Sequence, residues 1–290
     1  MGLLYRKGWF ILIKQIRLLA FDLDGTMLQR GNVLSPAAEK ALEEADRAGI
    51  LTVPATGRLR DFLPPCLVKL PFIRYAITSN GAAVYDLHTG EKLSSCLIPT
   101  ETACRVLEIL EEYPIYVEFY VDGQAITRVG EPEIAVEKYG LPEEKKLFLQ
   151  KNYRLVPSLQ GYLKENGLCP EKINLPYLTG DIRREIIQKL EVMGGLCLTS
   201  SVQDNLEINS EGCSKGHGLA GLCRALDIER EETAAMGDNG NDLEMLRFAG
   251  FPIAMENGTE EVKKIASAIA PPFDEDGAAK AIEKWILPKD

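Results

Sequence analysis

The sequence predicts an α/β protein with a doubly wound, Rossmann-like core around a parallel sheet and a second α+β module inserted into that core. Three observations predict it. Short apolar runs alternate with helical stretches up to Gly81, the pattern turns strand-rich between Ala82 and Thr199, and the alternation resumes from about Ser214.

Residues 16–21 form a short, mostly apolar run, as a parallel strand buried on both faces requires. Ser35-Pro36 opens a helix, with serine as N-cap and proline at the first helical position, and Gly49 closes it. Residues 50–55 make the next strand, a second helical stretch follows, and residues 75–78 make a third strand. After Gly81, strands are expected at Val84-Tyr85 and over 92–98, 116–121 and 125–129, with a turn at Asp122-Gly123. Helices are expected over 101–112 and 181–193, and residues 130–146 form a loop or short helices. The last part runs helix to Leu226, strand 233–237, helix 241–249, strand 252–255 and helix 260–265. The expected domains are thus a core of residues 1–81 and 200–290 and an insert of residues 82–199.

The 290 residues, 46% apolar and 26% charged, suffice for two domains with sizeable buried cores. A net charge of -10 lacks the basic face that nucleic acid requires, which excludes that partner. Seven cysteines without Cys-x-x-Cys spacing indicate buried thiols in a reducing compartment. His88 and His217 stand apart from any Ser or Cys motif. Arg6 and Lys7 precede an apolar run over 8–13, but Lys14 and Arg17 interrupt it and no small-residue cleavage site follows. It falls short of the roughly 20 apolar residues that span a bilayer. The first dozen residues are expected to be an extension on a cytoplasmic protein.

Four strings carry the chemistry. Asp22-Leu23-Asp24-Gly25-Thr26 follows the first strand at its carboxyl end, where open α/β sheets hold their ligands. Residues two apart on a strand face one way, so both carboxylates can converge, one to attack phosphorus and one to move a proton. The alternative is an Asp-Gly turn. Thr56-Gly57-Arg58 follows the second strand, where a hydroxyl and backbone N–H groups hold phosphoryl oxygens or simply cap a helix. Gly237 to Asp242 closes the fourth strand, where Asp238 suits Mg²⁺ while Asn241 or Asp242 could cap the next helix. Lys215 opens a helix, a position usually solvated. It gains a role because several carboxylates facing a phosphate dianion repel it, by about 4 kcal/mol per pair at 4 Å and an effective dielectric of 20.

Together, in this order, the four strings resemble the haloacid dehalogenase-like hydrolase superfamily, and most closely its Cof-type phosphatases with an α/β cap inserted after the third core strand. Ser79-Asn80-Gly81 at the entry to the insert and Asp276-Gly277-Ala278 near the end belong to the likeness. The resemblance implies a Mg²⁺-dependent phosphatase acting on small phosphorylated metabolites, such as sugar phosphates, through an aspartyl-phosphate. It makes Asp22 the nucleophile and Asp24 the general acid/base. Mg²⁺ would sit on the Asp22 carboxylate, the Asp24 carbonyl and Asp238. Leu23, Thr56, Gly57, Lys215 and Asn241 would bind phosphate or substrate, and Asp242 would orient Lys215 or stand behind the metal ligands. The expected partner is a small phosphorylated substrate, with no nucleic acid and no membrane. Two alternatives stay open: a phosphomutase of the same superfamily, and a non-catalytic metabolite-binding module.

Overall fold

The computed structural model describes residues 15–200 and 204–288, together with the backbone of Leu3–Arg6 and Trp9–Leu12, which pair as an antiparallel hairpin. The remainder of the expected N-terminal extension lies outside the described residues.

Leu18–Phe21 is the centre of the core, and none of its four residues is exposed. Its side chains alternate between two apolar layers. Leu19 and Phe21 pack against Ala38, Leu42 and Ala45 of the helix Pro36–Arg47, while Leu18 and Ala20 share a cluster with Leu219 and Leu222 of Lys215–Leu226. A strand covered on both faces has no position for a polar side chain, which is why the run is apolar throughout. The parallel sheet has the order Ala268–Ala270, Phe251–Met255, Thr233–Gly237, Leu18–Phe21, Leu51–Pro54. Ser35 caps the first helix as expected, its hydroxyl accepting from the Ala38 N–H at 3.1 Å.

Pairing shifts the expected seams. A parallel bridge between Ala55 and Ile77 brings Tyr75–Thr78 to the end of this sheet, and Ala83–Asp86 and Lys92–Ser95 add to it antiparallel. The segments at 84–85 and 92–95, assigned to the insert from sequence, therefore extend the core layer, while the expected strand ends at Ser95 and Ile98 packs with the insert. Leu206–Ser210, assigned to the core, is instead an inner strand of the insert's sheet. That sheet has the order Arg154–Val156, Gln124–Arg128, Glu118–Val121, Lys172–Leu175, Leu206–Ser210, Leu196–Thr199. Alternation identifies a strand but not the neighbour with which it pairs. Residues 130–146 fall in two helices, Glu131–Tyr139 and Glu143–Asn152.

One face of the insert sheet is apolar: Phe119, Ile173 and Ile208 lie under Val106 of Thr100–Leu110 and Ile186 of Gly180–Met193. The other face carries Glu118, Tyr120, Lys172, Asn174, Glu207 and Asn209, all buried. Part of that polar face, with Glu171 just before the strand Lys172–Leu175, joins the core. Glu171 accepts from Ser79 Oγ at 2.8 Å, from the Tyr85 hydroxyl and from the Gly123 N–H at 3.1 Å. Lys172 Nζ donates to the Gly57 carbonyl at 2.6 Å, and Asn80 Nδ2 donates to Glu207 at 2.7 Å.

Gly81 sits in the turn that joins Tyr75–Thr78 to Ala83–Asp86. Its φ is +91°, and a Cβ there would stand 1.9 Å from the Ser214 carbonyl oxygen, which leads into the Lys215 helix. We expect Gly81→Ala to lower stability by roughly 2–4 kcal/mol, the range for an incompatible backbone plus a clash. Urea denaturation checks it, and an unchanged midpoint would show that this approach is not tight.

Candidate active site

Lys215 is the first residue of its helix, which Ser214 caps through the His217 N–H at 3.0 Å. Its side chain turns inward and is wholly buried, so the solvated alternative does not hold. Nζ donates to Asp22 Oδ1 at 2.5 Å and to Asp242 Oδ1 at 2.6 Å. Burial opposes the ammonium charge, but the two carboxylates outweigh it and hold the pKa above the ordinary lysine value. Asp22 is pushed up to about 8, by burial first, with Lys215 pulling down and Asp242 and Asp238 pushing up.

Asp22 follows the end of the first core strand, and its N–H bonds to the Met236 carbonyl at 2.9 Å, tying it to the strand that delivers Asp238. Asp238 accepts from Thr26 Oγ at 3.2 Å. Gly25, at φ +88°, leaves room for it, since a Cβ at Gly25 would lie 2.5 Å from Asp238 Oδ2. Burial, and then Asp242, raise Asp238 to about 6. Asp242 serves two demands. Its Oδ1 takes Lys215, and its Oδ2 accepts the N–H groups of Asp238 and Asn239 at 2.9 and 3.0 Å. Asn239 is the residue whose side chain caps the turn, accepting from the Gly240 N–H at 2.8 Å. Neither Asn241 nor Asp242 caps the helix that follows through its side chain; Asp242 closes the capping box of Asn239 while it holds Lys215.

Asp24 departs from the expected convergence. The strand stops at Phe21, and the Asp24 side chain, 57% exposed, turns to Arg58 instead of to the carboxylate cluster. Arg58 grips both oxygens, Nε to Oδ2 at 3.0 Å and NH2 to Oδ1 at 2.5 Å, and also reaches Asn32 Oδ1 at 2.7 Å. Nothing within the Thr56-Gly57-Arg58 string signals this role for Arg58, because its partners lie 34 and 26 positions away. Thr56 is buried, and its hydroxyl accepts from the Arg58 N–H at 3.2 Å. Leu23 packs its side chain into the core, so only its backbone can face a phosphate. Gly57 gives its carbonyl to Lys172. Asn241 sits half-buried beside Asp242, and its side chain makes no hydrogen bond among the described residues.

Carboxylate oxygens of Asp22, Asp238 and Asp242 all lie within 4.8 Å of one another. Three carboxylates face one ammonium in a buried space, and burial first, then the neighbouring acids, raises Asp22 and Asp238. Asp242 is committed to three donors, whereas Asp22 and Asp238 each accept from a single side chain. Oxygen donors around surplus negative charge fit a hard divalent cation such as Mg²⁺.

The model of the haloacid dehalogenase-like hydrolase family matches residues 19–282, from the first core strand through the last α-helix, Gly277–Ala281. The chain belongs to that family. It is 32% identical over 286 residues to the phosphatase YwpJ of Bacillus subtilis strain 168, covering 93% of this chain and all of that one. It is 28% identical over 274 residues to the 5-amino-6-(5-phospho-D-ribitylamino)uracil phosphatase YcsE of the same organism, covering 94% and 96%. Among solved structures, a haloacid dehalogenase-like hydrolase from B. subtilis superposes with a TM-score of 0.78 at 27% identity, covering 93% of this chain and 100% of the other. This haloacid dehalogenase-like hydrolase is a phosphatase of small phosphorylated metabolites, with the α/β cap of the Cof-type members. None of its described helices is long and apolar enough to cross a membrane.

The two raised carboxyls bind protons more tightly in the fold than in the unfolded chain. Their stabilising contribution is therefore full at low pH and is lost as pH rises from about 4 through about 8. A cation that binds there replaces those protons. We expect Mg²⁺ to raise the Tm more above about pH 8 than below about pH 5. Equal shifts in scanning fluorimetry would remove Asp22 and Asp238 from the cation's site.

Proposed function

We propose that the protein hydrolyses small phosphomonoesters with Mg²⁺ through an aspartyl-phosphate on Asp22. The observation that carries this reading is the buried Lys215 clamped onto Asp22, with Asp238 beside it and the Thr56 turn on the neighbouring strand end. The carboxylates of Asp22 and Asp238, with the Asp24 carbonyl, would hold Mg²⁺, which would supply positive charge against the phosphoryl oxygens.

Asp22 attacks phosphorus in line, the ester P–O bond breaks, and Asp24 gives its proton to the leaving oxygen. Asp24 then takes a proton from water, which attacks the aspartyl-phosphate and releases inorganic phosphate and free Asp22. Lys215 keeps its charge through the cycle and neutralises phosphoryl oxygen where charge builds up. Thr56 and the backbone N–H groups of Leu23 and Gly57 hold the group being transferred, with Asn241 at the rim. Asp242 fixes Lys215 from behind. The polar cap face, rich in carboxylate, amide and phenol groups, suits a leaving group with many hydroxyls, such as a sugar.

A phosphate-release assay with excess chelator should show loss of turnover, restored better by Mg²⁺ than by Ca²⁺, which favours larger coordination numbers. Asp22→Asn should abolish turnover, and peptide mapping by mass spectrometry of the quenched, borohydride-trapped wild-type enzyme should place the phosphoryl group on Asp22. Label on another residue would sink the reading. Lys215→Ala should lower kcat by about 100-fold or more, the scale for losing one transition-state charge partner. A change in KM alone would make Lys215 a uniform binder instead.

A further inference from the structure

We propose that Arg58 is the positioning residue for the acid/base group, setting Asp24 through a guanidinium fork that Asn32 braces. The proposal rests on the reading of Asp24 as the proton carrier and adds to it how that carrier is aimed.

Asp22 and Asp24 stand two residues apart, yet only Asp22 is held by burial. The Asp24 side chain is 57% exposed and does not join the carboxylate cluster. An exposed carboxyl has a broad terminal torsion, so nothing in its own packing directs an oxygen at a leaving group. Arg58 supplies the missing constraint. Nε and NH2 each meet one oxygen of Asp24, a two-point contact that fixes the plane of the carboxyl as well as its place.

The fork is itself anchored. NH2 also donates to Asn32 Oδ1, and Asn32 adopts φ 60° in a loop closed by the Gln29 N–H to the Val33 carbonyl at 2.9 Å. Gln29 Nε2 ties that loop to Asp276 Oδ1 at 2.9 Å. On the backbone side, the Arg58 carbonyl accepts from the Ser79 N–H at 2.8 Å, and its N–H reaches Thr56 Oγ. One short turn therefore carries both the phosphoryl-binding threonine and the group that aims the acid. Both Asp24 oxygens are engaged, so one must leave the fork to deliver a proton to a leaving oxygen, and the other stays as the pivot.

The test is a leaving-group series, from nitrophenyl phosphate to alkyl phosphates, with kcat/KM measured for the wild type, Arg58→Ala, Arg58→Lys, Asp24→Asn and the double variant Asp24→Asn/Arg58→Ala. Losing an aimed general acid costs about 100-fold or more where the leaving group needs a proton. We expect Arg58→Ala to lose about that factor on alkyl esters and only a few-fold on the nitrophenyl ester. Arg58→Lys should recover little, since an ammonium cannot make the two-point contact. In the Asp24→Asn background, Arg58→Ala should cost almost nothing more. Three outcomes would overturn the proposal while leaving Asp24 as the acid: an equal loss on every ester, no loss, or additive losses in the double variant. If Asp24→Asn itself has the same effect on all esters, the acid/base reading falls, and the positioning role falls with it.

Discussion

Everything in the site depends on an ammonium with no access to water. Lys215 has exchanged its hydration for two carboxylates, Asp22 and Asp242, which arrive from different strand ends. Such a group is stable only while its partners stay in place. Breaking a buried pair from one side typically costs about 3–5 kcal/mol, because the remaining charge cannot be solvated. The constraint also runs outward. The Leu18–Phe21 and Thr233–Gly237 strands must lie side by side, and the helix behind them must begin at Lys215, or the three charges do not meet. Core packing and catalytic geometry are thus one requirement.

The two neighbouring acids show how one backbone segment makes two kinds of carboxyl. Asp22 is enclosed by the sheet, the lysine and two further acids, so its surroundings favour a cation beside it. Asp24, past the end of the strand, is left at the surface and faces arginine. The division follows from where the strand stops. Had the extended conformation continued through Asp24, strand alternation would have put both groups in the same enclosure.

Most of the core was legible because its signals are local. The apolar run before Asp22, the Ser35-Pro36 cap and the Asp-Leu-Asp-Gly-Thr string each state their structure within a few residues. The cap was less legible. Lys172–Leu175 alternates lysine and asparagine with isoleucine and leucine, a pattern that normally exposes its polar side, but here the polar side is buried. Its burial is a tertiary fact, made by the Gly57 carbonyl, Glu207 and Glu118, which no window of sequence contains. The same holds for Arg58, whose partners Asp24 and Asn32 lie 34 and 26 positions away. Sheet membership of Ala83–Asp86 and Leu206–Ser210 was likewise decided by neighbours distant in the chain.

The chain leaves for the cap and returns from it at adjacent points. Ser94, just before the departure, packs so closely on the returning helix that a Cβ on Gly221 would fall 2.3 Å from its hydroxyl. Nearby, Cys96 Sγ meets the Glu211 carbonyl at 3.9 Å. To the core, more than a hundred residues are therefore a single loop whose ends already touch. The entropy of closing such a loop grows only with the logarithm of its length, by about 0.6 kcal/mol for each doubling. Loop entropy therefore sets little limit on cap size; what a different cap must supply is partners for the buried Ser79, Asn80 and Tyr85.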